Sequence, residues 1–359
     1  MDKLIFSAPI NSLSFGNVSY NMLREFYKLD IELKFFPIGK DLDFSAFDKT
    51  TDDFKQWIVD AYNNRLKGID KDIPFLKMWH LNGSESGMGD RRFLYTFHEI
   101  DSSTEEEENI CKLQTKTIFS SSFSENVFSK KCSNCASVSL GFDEDFHETN
   151  KKYLSGKTHF GIMGKWEKRK HTSRIISLWA KKFGDNPDYQ LSCCVGNPFL
   201  KEDQFKEVIK DCLEGKKYKN INFLPRLKTN SEVNEFLNSV DIDLSGLSGA
   251  EGWNLPAFNS TCLGKWSIVL NSTSHKDWAN SSNCILVEPS SQEPCYDDVF
   301  FKEGNAFNQG NISSFSDDSF YDAIDKALIN SGKYNESGSL LKSEFTYSKT
   351  VNNILEIIK

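Results

Sequence analysis

Apolar and polar positions alternate along this chain in two rhythms. Short apolar runs bounded by polar residues, such as Leu4-Ile-Phe-Ser-Ala-Pro and Ile31-Glu-Leu-Lys-Phe-Phe, predict buried strands. Between them, Met22, Leu23, Phe26 and Tyr27 share one helical face, and Phe54, Trp57, Ile58, Ala61 and Tyr62 share another within Asp52–Leu66. Residues 11–19 are expected to be a loop. Strands follow at Pro74–His80, Arg92–His98, 117–121 and 137–141, with a glycine-rich loop at 83–89. The run Glu105–Glu108 opens a helix, where carboxylates favour the positive end.

A polar stretch, Phe146–Lys157, interrupts the rhythm, which then restarts. Strands are expected at Thr158–Met163, Tyr189–Val195, Ile221–Leu224, Val240–Leu244, Ser267–Leu270 and Cys284–Val287. Helices are expected at Ser173–Phe183, Glu202–Leu213, Ser231–Leu237 and Leu255–Leu263. Strand–helix alternation implies an α/β fold with parallel sheets covered on both faces. Two such units, 1–152 and 153–344, place a cleft between them, and ligands bind at the carboxyl ends of such strands. Val351, Ile354, Ile357 and Ile358 give Tyr347–Lys359 one apolar face, so the chain ends in an amphipathic helix.

Composition narrows the choice of class. At 359 residues, 38% hydrophobic and 26% charged, the chain has room for two cores. No apolar run reaches about 18 residues, so no transmembrane segment is expected. Residues 1–150 hold 17 Lys+Arg against 25 Asp+Glu and the remainder holds 26 of each. Without a basic excess, stable nucleic-acid binding is not expected. Nine cysteines without a framework, and an N-terminus that runs straight into a strand without a leader, indicate a reduced, cytoplasmic protein. Cys132-Ser-Asn-Cys135 is a lone CxxC, too little for a zinc site.

Two segments carry the candidate chemistry. Gly249-Ala-Glu-Gly-Trp-Asn-Leu-Pro sets an acid, a glycine turn and a helix start at the end of an apolar strand. Free N–H groups at a helix N-terminus hold phosphate, and Glu251 beside them can accept hydrogen bonds from a polyol. A phosphate next to a polyol describes a nucleotide sugar. In the second segment, 161–172, Lys165 and Lys170, with Arg169, follow a strand end where cations would neutralise a diphosphate; the alternative is a solvated basic loop. His98, beside Glu99, is either a satisfied structural residue or a partner for sugar or acceptor. His275 is a loop residue of the nucleotide or acceptor side, or simply surface. Trp79-His80 is expected in the core. Asp241 and Asp243 have DxD spacing, which alternate positions in a buried strand explain equally well.

These stretches, in their order, resemble the family-4-type retaining glycosyltransferases of the GT-B fold, two Rossmann-like domains around a donor–acceptor cleft. Phe15-Gly16-Asn17 resembles the glycine-containing loop near the donor phosphates, and Thr96-Phe-His-Glu-Ile-Asp101 the segment whose histidine lies near the transferred sugar. Residues 118–124 and 138–143 are similar to the segments leading to the linker. Gly164-Lys-Trp-Glu-Lys-Arg-Lys170 resembles the basic pair gripping the diphosphate, and Glu251-Gly-Trp-Asn-Leu-Pro the first half of the E-x7-E motif. The second acid is replaced by Asn259, the family's glycine at 254 by Asn254, and the glycine after the basic pair by His171.

The resemblance implies an acceptor-side first domain, a donor-binding second domain, and a C-terminal helix, 345–359, that packs back on the first. Lys165, Lys170, Glu251 and His98 become the catalytic candidates. Gly16, Asn17, Arg169, Gly252, Trp253, Asn254, Leu255 and Asn259 become donor contacts, and Glu99 and His275 acceptor-side residues. It implies a hexosyltransferase-type enzyme acting on a nucleotide-sugar donor such as a UDP-sugar and a hydroxyl acceptor, with retention and with no metal or cofactor. The acceptor is a glycan, lipid-linked saccharide, small molecule or modified base. The competing readings are a phage-type DNA hydroxymethylpyrimidine glycosyltransferase, suggested by the Asn/Lys/Ser/Phe-rich composition, and a sugar-nucleotide-binding protein with degraded catalysis. A sugar phosphorylase or a nucleotide-sugar epimerase would use similar phosphate contacts.

Overall fold

The computed structural model describes residues 2–149, 151 and 153–359. In the first lobe the apolar runs form β1 (Lys3–Ala8), β2 (Glu32–Pro37), β3 (Phe75–Met78), β4 (Arg92–Thr96), β5 (Lys116–Phe119) and β6 (Cys135–Ser137). All pair in parallel, in the order β2-β1-β3-β4-β5-β6. The covering helices are α1 (Ser14–Lys28), α2 (Asp52–Asn63), α3 (Glu105–Lys112) and α4 (Ser122–Ser129). Residues 14–19 belong to α1 rather than to the expected loop. Phe15 and Val18 extend the stripe of Met22, Leu23 and Phe26, and all five are buried. The acidic run does open α3, where Thr104 and Glu107 form a reciprocal cap.

The second lobe repeats the plan with β7 (Thr158–Lys165), β8 (Tyr189–Gly196), β9 (Ile221–Phe223), β10 (Ile242–Asp243), β11 (Trp266–Leu270) and β12 (Ile285–Val287). Its parallel order is β12-β11-β10-β7-β8-β9. Helices α5 (Thr172–Phe183), α6 (Glu202–Cys212), α7 (Asn230–Ser239) and α8 (Leu255–Cys262) lie between the strands. An antiparallel pair, β13 (Ser291–Pro294) and β14 (Asn311–Ser314), precedes α9 (Asp317–Ile329), α10 (Glu336–Glu344) and α11 (Tyr347–Ile358). The two sheets are the doubly wound α/β architecture expected from the alternation. The boundary drawn at 152/153 falls beside Asn150 and Lys152, which lie outside the described residues.

The lobes share structure rather than merely touching. One apolar cluster runs from Phe6 and Phe35 of the first sheet through Trp253, Phe258 and Trp278 to Val351 and Ile354 of α11. The chain crosses between lobes twice at one place: Phe142 and Thr346 form a parallel bridge, and Gly141 lies so close that a Cβ there would clash with the Tyr347 nitrogen. Helix α11 then packs along α1, with Thr350 donating to the Ser139 carbonyl at 2.8 Å and Arg91 to that of Ile358 at 2.6 Å.

Beside this crossing, Asp143 and Asp145 are buried. Asn21 and Arg24 of α1 donate to them at 3.0 and 2.8 Å, and Asn230 of α7 donates to Asp145 at 3.0 Å. The linker acids thus fasten a helix of each lobe to one point. On the other side, the segment before β14 straps onto the first lobe, where Asp101 accepts from the Asn311 amide at 2.7 Å and Glu107 from that of Asn308 at 2.9 Å.

Candidate active site

In a doubly wound sheet the crevice opens where strand order reverses, at the carboxyl ends of the flanking strands. In the second lobe that point lies between β7 and β10. Lys165 ends β7, a short turn carries Arg169 and Lys170 behind it, and the chain leaving β10 reaches Glu251. The topology therefore brings both candidate segments to one crevice.

Glu251 is only 5% exposed and is ion-paired on both oxygens, to Lys170 and, at 3.2 Å, to Arg169. Burial alone would raise its pKa, but the charges of Lys170 and Arg169 outweigh that and pull it down to about 2. Lys165 has the most open side chain of the group, leans on Glu167 at 3.4 Å and lies 4.9 Å from the Phe300 ring centre. Arg169 bridges Glu99 of the first lobe (3.1 Å), Glu167 (3.1 Å) and the Ala250 carbonyl (2.6 Å). Three acids and three cations are thus interleaved at the junction.

Helix α8 starts beside Glu251 with Asn254 as its N-cap in the left-handed region, φ 70°. Asn is one of the few residues other than glycine that adopts this conformation readily, so Asn254 makes the turn without a glycine. Its side-chain nitrogen donates to the Ser245 carbonyl and to His275 Nε2, both at 2.9 Å. Pro256 in the first turn has no N–H, so the amides of Leu255 and Ala257 are the donors left at this end. Gly252 turns the chain against the first lobe. A Cβ there would meet the Phe97 Cβ at 2.9 Å, and the Gly252 carbonyl accepts from Ser120 at 2.7 Å.

Several expectations need correction. The Arg169 guanidinium, expected among the donor contacts, is buried among three carboxylates, whose charge more than offsets the cost of burial. Trp253 packs against Phe258 and Phe345 in the core. His275 is neither surface nor acceptor-side. It is fully buried, with Nδ1–H donating to the Leu270 carbonyl at 2.8 Å and Nε2 accepting from Asn254, and burial holds its pKa near about 4.

His98 is buried beside Phe128, with its Nε2 3.0 Å from the Ser102 carbonyl, which gives it a structural place. Gly16 packs on Asn11 inside α1, and Asn17 points at Asn230 (3.3 Å) in the linker cluster. Asn259 is buried, and its Oδ1 has neither a protein partner nor open surface. Glu99 does face the junction, through its pair with Arg169. His80 is exposed rather than core, whereas Trp79 is half-buried and packs against the large apolar cluster, at the end of β3. Glu167, which clamps Arg169, escaped the sequence reading because its charge gives no hint of burial.

Among the described residues, no helix is long and apolar enough to cross a membrane and no group of three metal-ligating side chains is assembled. The architecture is a GT-B fold, two Rossmann-like lobes with a crevice between their strand ends. The chain resembles sucrose-phosphate synthase from Thermosynechococcus elongatus at a TM-score of 0.71 and 10% identity, covering 99% of this chain and 98% of that one. HepE from Anabaena in complex with UDP-glucose gives 0.64 at 11% identity over 99% of each chain. A glycosyltransferase from Rickettsia africae gives 0.64 at 10% identity over 100% and 98%. No protein-family model and no curated protein matches the sequence.

Proposed function

We propose that the protein is a glycosyltransferase that moves a hexose from a nucleotide-diphosphate donor to a hydroxyl acceptor, with retention and without a metal. The second lobe takes the donor and the first the acceptor. One observation carries this reading: a buried, ionised Glu251, paired to Lys170, stands beside the amide-lined start of α8 at the switch point of the second sheet.

A diphosphate entering there meets Lys165, Lys170 and the amides of Asn254, Leu255 and Ala257. Lys170 swings from Glu251 to the phosphate, which frees a carboxylate oxygen for the sugar hydroxyls. Charge developing on the departing diphosphate is then met by two ammonium groups and peptide dipoles already in place. The family resemblance supports front-side attack, with the leaving diphosphate taking the acceptor's proton. HepE, solved with UDP-glucose, supports a UDP-sugar as the first donor to try. The nine unbridged cysteines support a cytoplasmic setting.

Calorimetric titration with UDP-, GDP-, ADP- and CDP-sugars in the presence of EDTA tests the donor site. An acceptor screen with the product anomer read by NMR tests transfer. The reading fails if no nucleotide sugar binds, if EDTA abolishes turnover, or if the product is inverted. Binding without turnover would leave a sugar-nucleotide-binding protein, and a requirement for inorganic phosphate would indicate a phosphorylase.

A further inference from the structure

We propose that the switch point of the first sheet is an acceptor subsite for the ring of a neutral carbohydrate, with Trp79 and His80 as its exposed wall and Phe15 and Phe97 as its backing. This rests on the sugar-transfer reading and names the acceptor class. The first sheet reverses its strand order between β1 and β3. The residues leaving those strands are therefore at the position that corresponds to Lys165 and Glu251 in the second lobe. Here they are rings.

Phe15 stacks on Phe97 at 4.3 Å between centroids, meets His80 at 4.4 Å and Trp79 at 5.6 Å, and Trp79 meets His80 at 5.2 Å. Phe15 is buried, whereas His80 is exposed and Trp79 half-exposed, so the cluster shows its outer two rings to solvent. Neither ring is saturated with partners. Among the described residues no hydrogen bond engages the Trp79 indole nitrogen or the His80 ring nitrogens, and the Trp79 nitrogen is not sealed from water. Phe97 abuts Gly252, one residue from Glu251, so the aromatic wall adjoins the place assigned to the donor sugar. Glu99 and Lys165 both act electrostatically on His80, which puts the ring at the mouth of the charged crevice.

The pattern selects the ligand. A pyranose offers an apolar C–H face to a ring and hydroxyls at its rim, and Glu99 and His80 stand ready as rim partners. The His80 ring nitrogens, with no hydrogen bond among the described residues, can accept from or donate to a hydroxyl. A polyanionic acceptor is disfavoured by the 25 acids against 17 bases in residues 1–150. A competing location exists across Thr273, a cavity of about 480 Å³ lined in part by Asp101, Asn271, Lys276 and Gln292.

The test is saturation-transfer NMR on the full chain with methyl hexosides and methyl disaccharides, and with glycerol phosphate and a short oligonucleotide as controls. It is followed by transfer kinetics on Trp79→Ala, Trp79→Phe, His80→Ala and Lys276→Ala. Saccharide ring protons should saturate. Trp79→Ala and His80→Ala should each raise the acceptor KM about tenfold while the donor Kd stays within about twofold, and Trp79→Phe should keep most of the affinity. His80→Ala removes an exposed side chain, so folding does not obscure its result. The proposal is overturned if only the controls saturate, or if Trp79→Ala and His80→Ala behave as wild type while Lys276→Ala loses the acceptor. Donor calorimetry on the unaltered protein separates failure of this subsite from failure of the sugar-transfer reading, because saccharide contact is scored without donor.

Discussion

Two buried polar clusters join the lobes, one at the cleft around Arg169 and one at the crossing around Asp143, and they treat their carboxylates in opposite ways. At the cleft Glu251 has two cations in contact and stays ionised far below its ordinary range. At the crossing Asp143 and Asp145 share Arg24, so burial, reinforced by the charge of Asp145, pushes Asp143 upward. Burial is common to both acids. What differs is the ratio of cations to acids, and that ratio decides which cluster holds its charge in readiness. The cleft is balanced for work on an anion, whereas the crossing holds its charge less firmly.

Replacing Arg169 by Met should break the balance most severely, because Glu167 and Glu251 would lose a shared partner inside the protein. Urea denaturation should show a loss of about 3–5 kcal/mol. Lys170→Ala should leave the fold intact yet lower kcat by roughly 10²–10³, measured in a transfer assay alongside the donor Kd.

The pH response should sharpen the contrast. Glu251 has a depressed pKa, so its contribution to stability is present above about 4.5 and lost as pH falls toward 2; Glu251→Gln should remove that acid limb. Asp143 has a raised pKa, so its contribution is present below about 3.8 and lost as pH rises toward 6; Asp143→Asn should flatten that decline. Each limb has a slope of at most about 1.4 kcal/mol per pH unit, readable from unfolding at several pH values. The smallest effect is at Asn254. There Asn254→Ala should cost about 1–2 kcal/mol for the left-handed turn, and Asn254→Gly should restore most of it in thermal melts.

The fold was legible because alternation of strands and helices is written in single residues, and the position of the crevice followed from it. Lys165, Lys170 and Glu251 were legible for the same reason, since each lies a few residues beyond an apolar run. Residue type does not reveal direction: Arg169, Trp253 and His275 all turn inward, Arg169 from between two lysines. His275 follows a strand end, yet Asn254 and the Leu270 carbonyl enclose it. Trp79 and His80 follow an apolar run, and hydrophobicity marks a ring without saying which of its faces is covered. The hairpin of β13 and β14 had no clear alternation in Ser291–Pro294 to announce it.

The paired crossing at Gly141–Phe142 and Thr346–Tyr347 sets the freedom of the molecule as a whole. Two strands of chain running side by side through one spot behave as a hinge with neighbouring pins, which resists twisting of one lobe over the other and leaves rocking as the easy motion. Any ligand that draws the lobes together would move the far rims most and the crossing least.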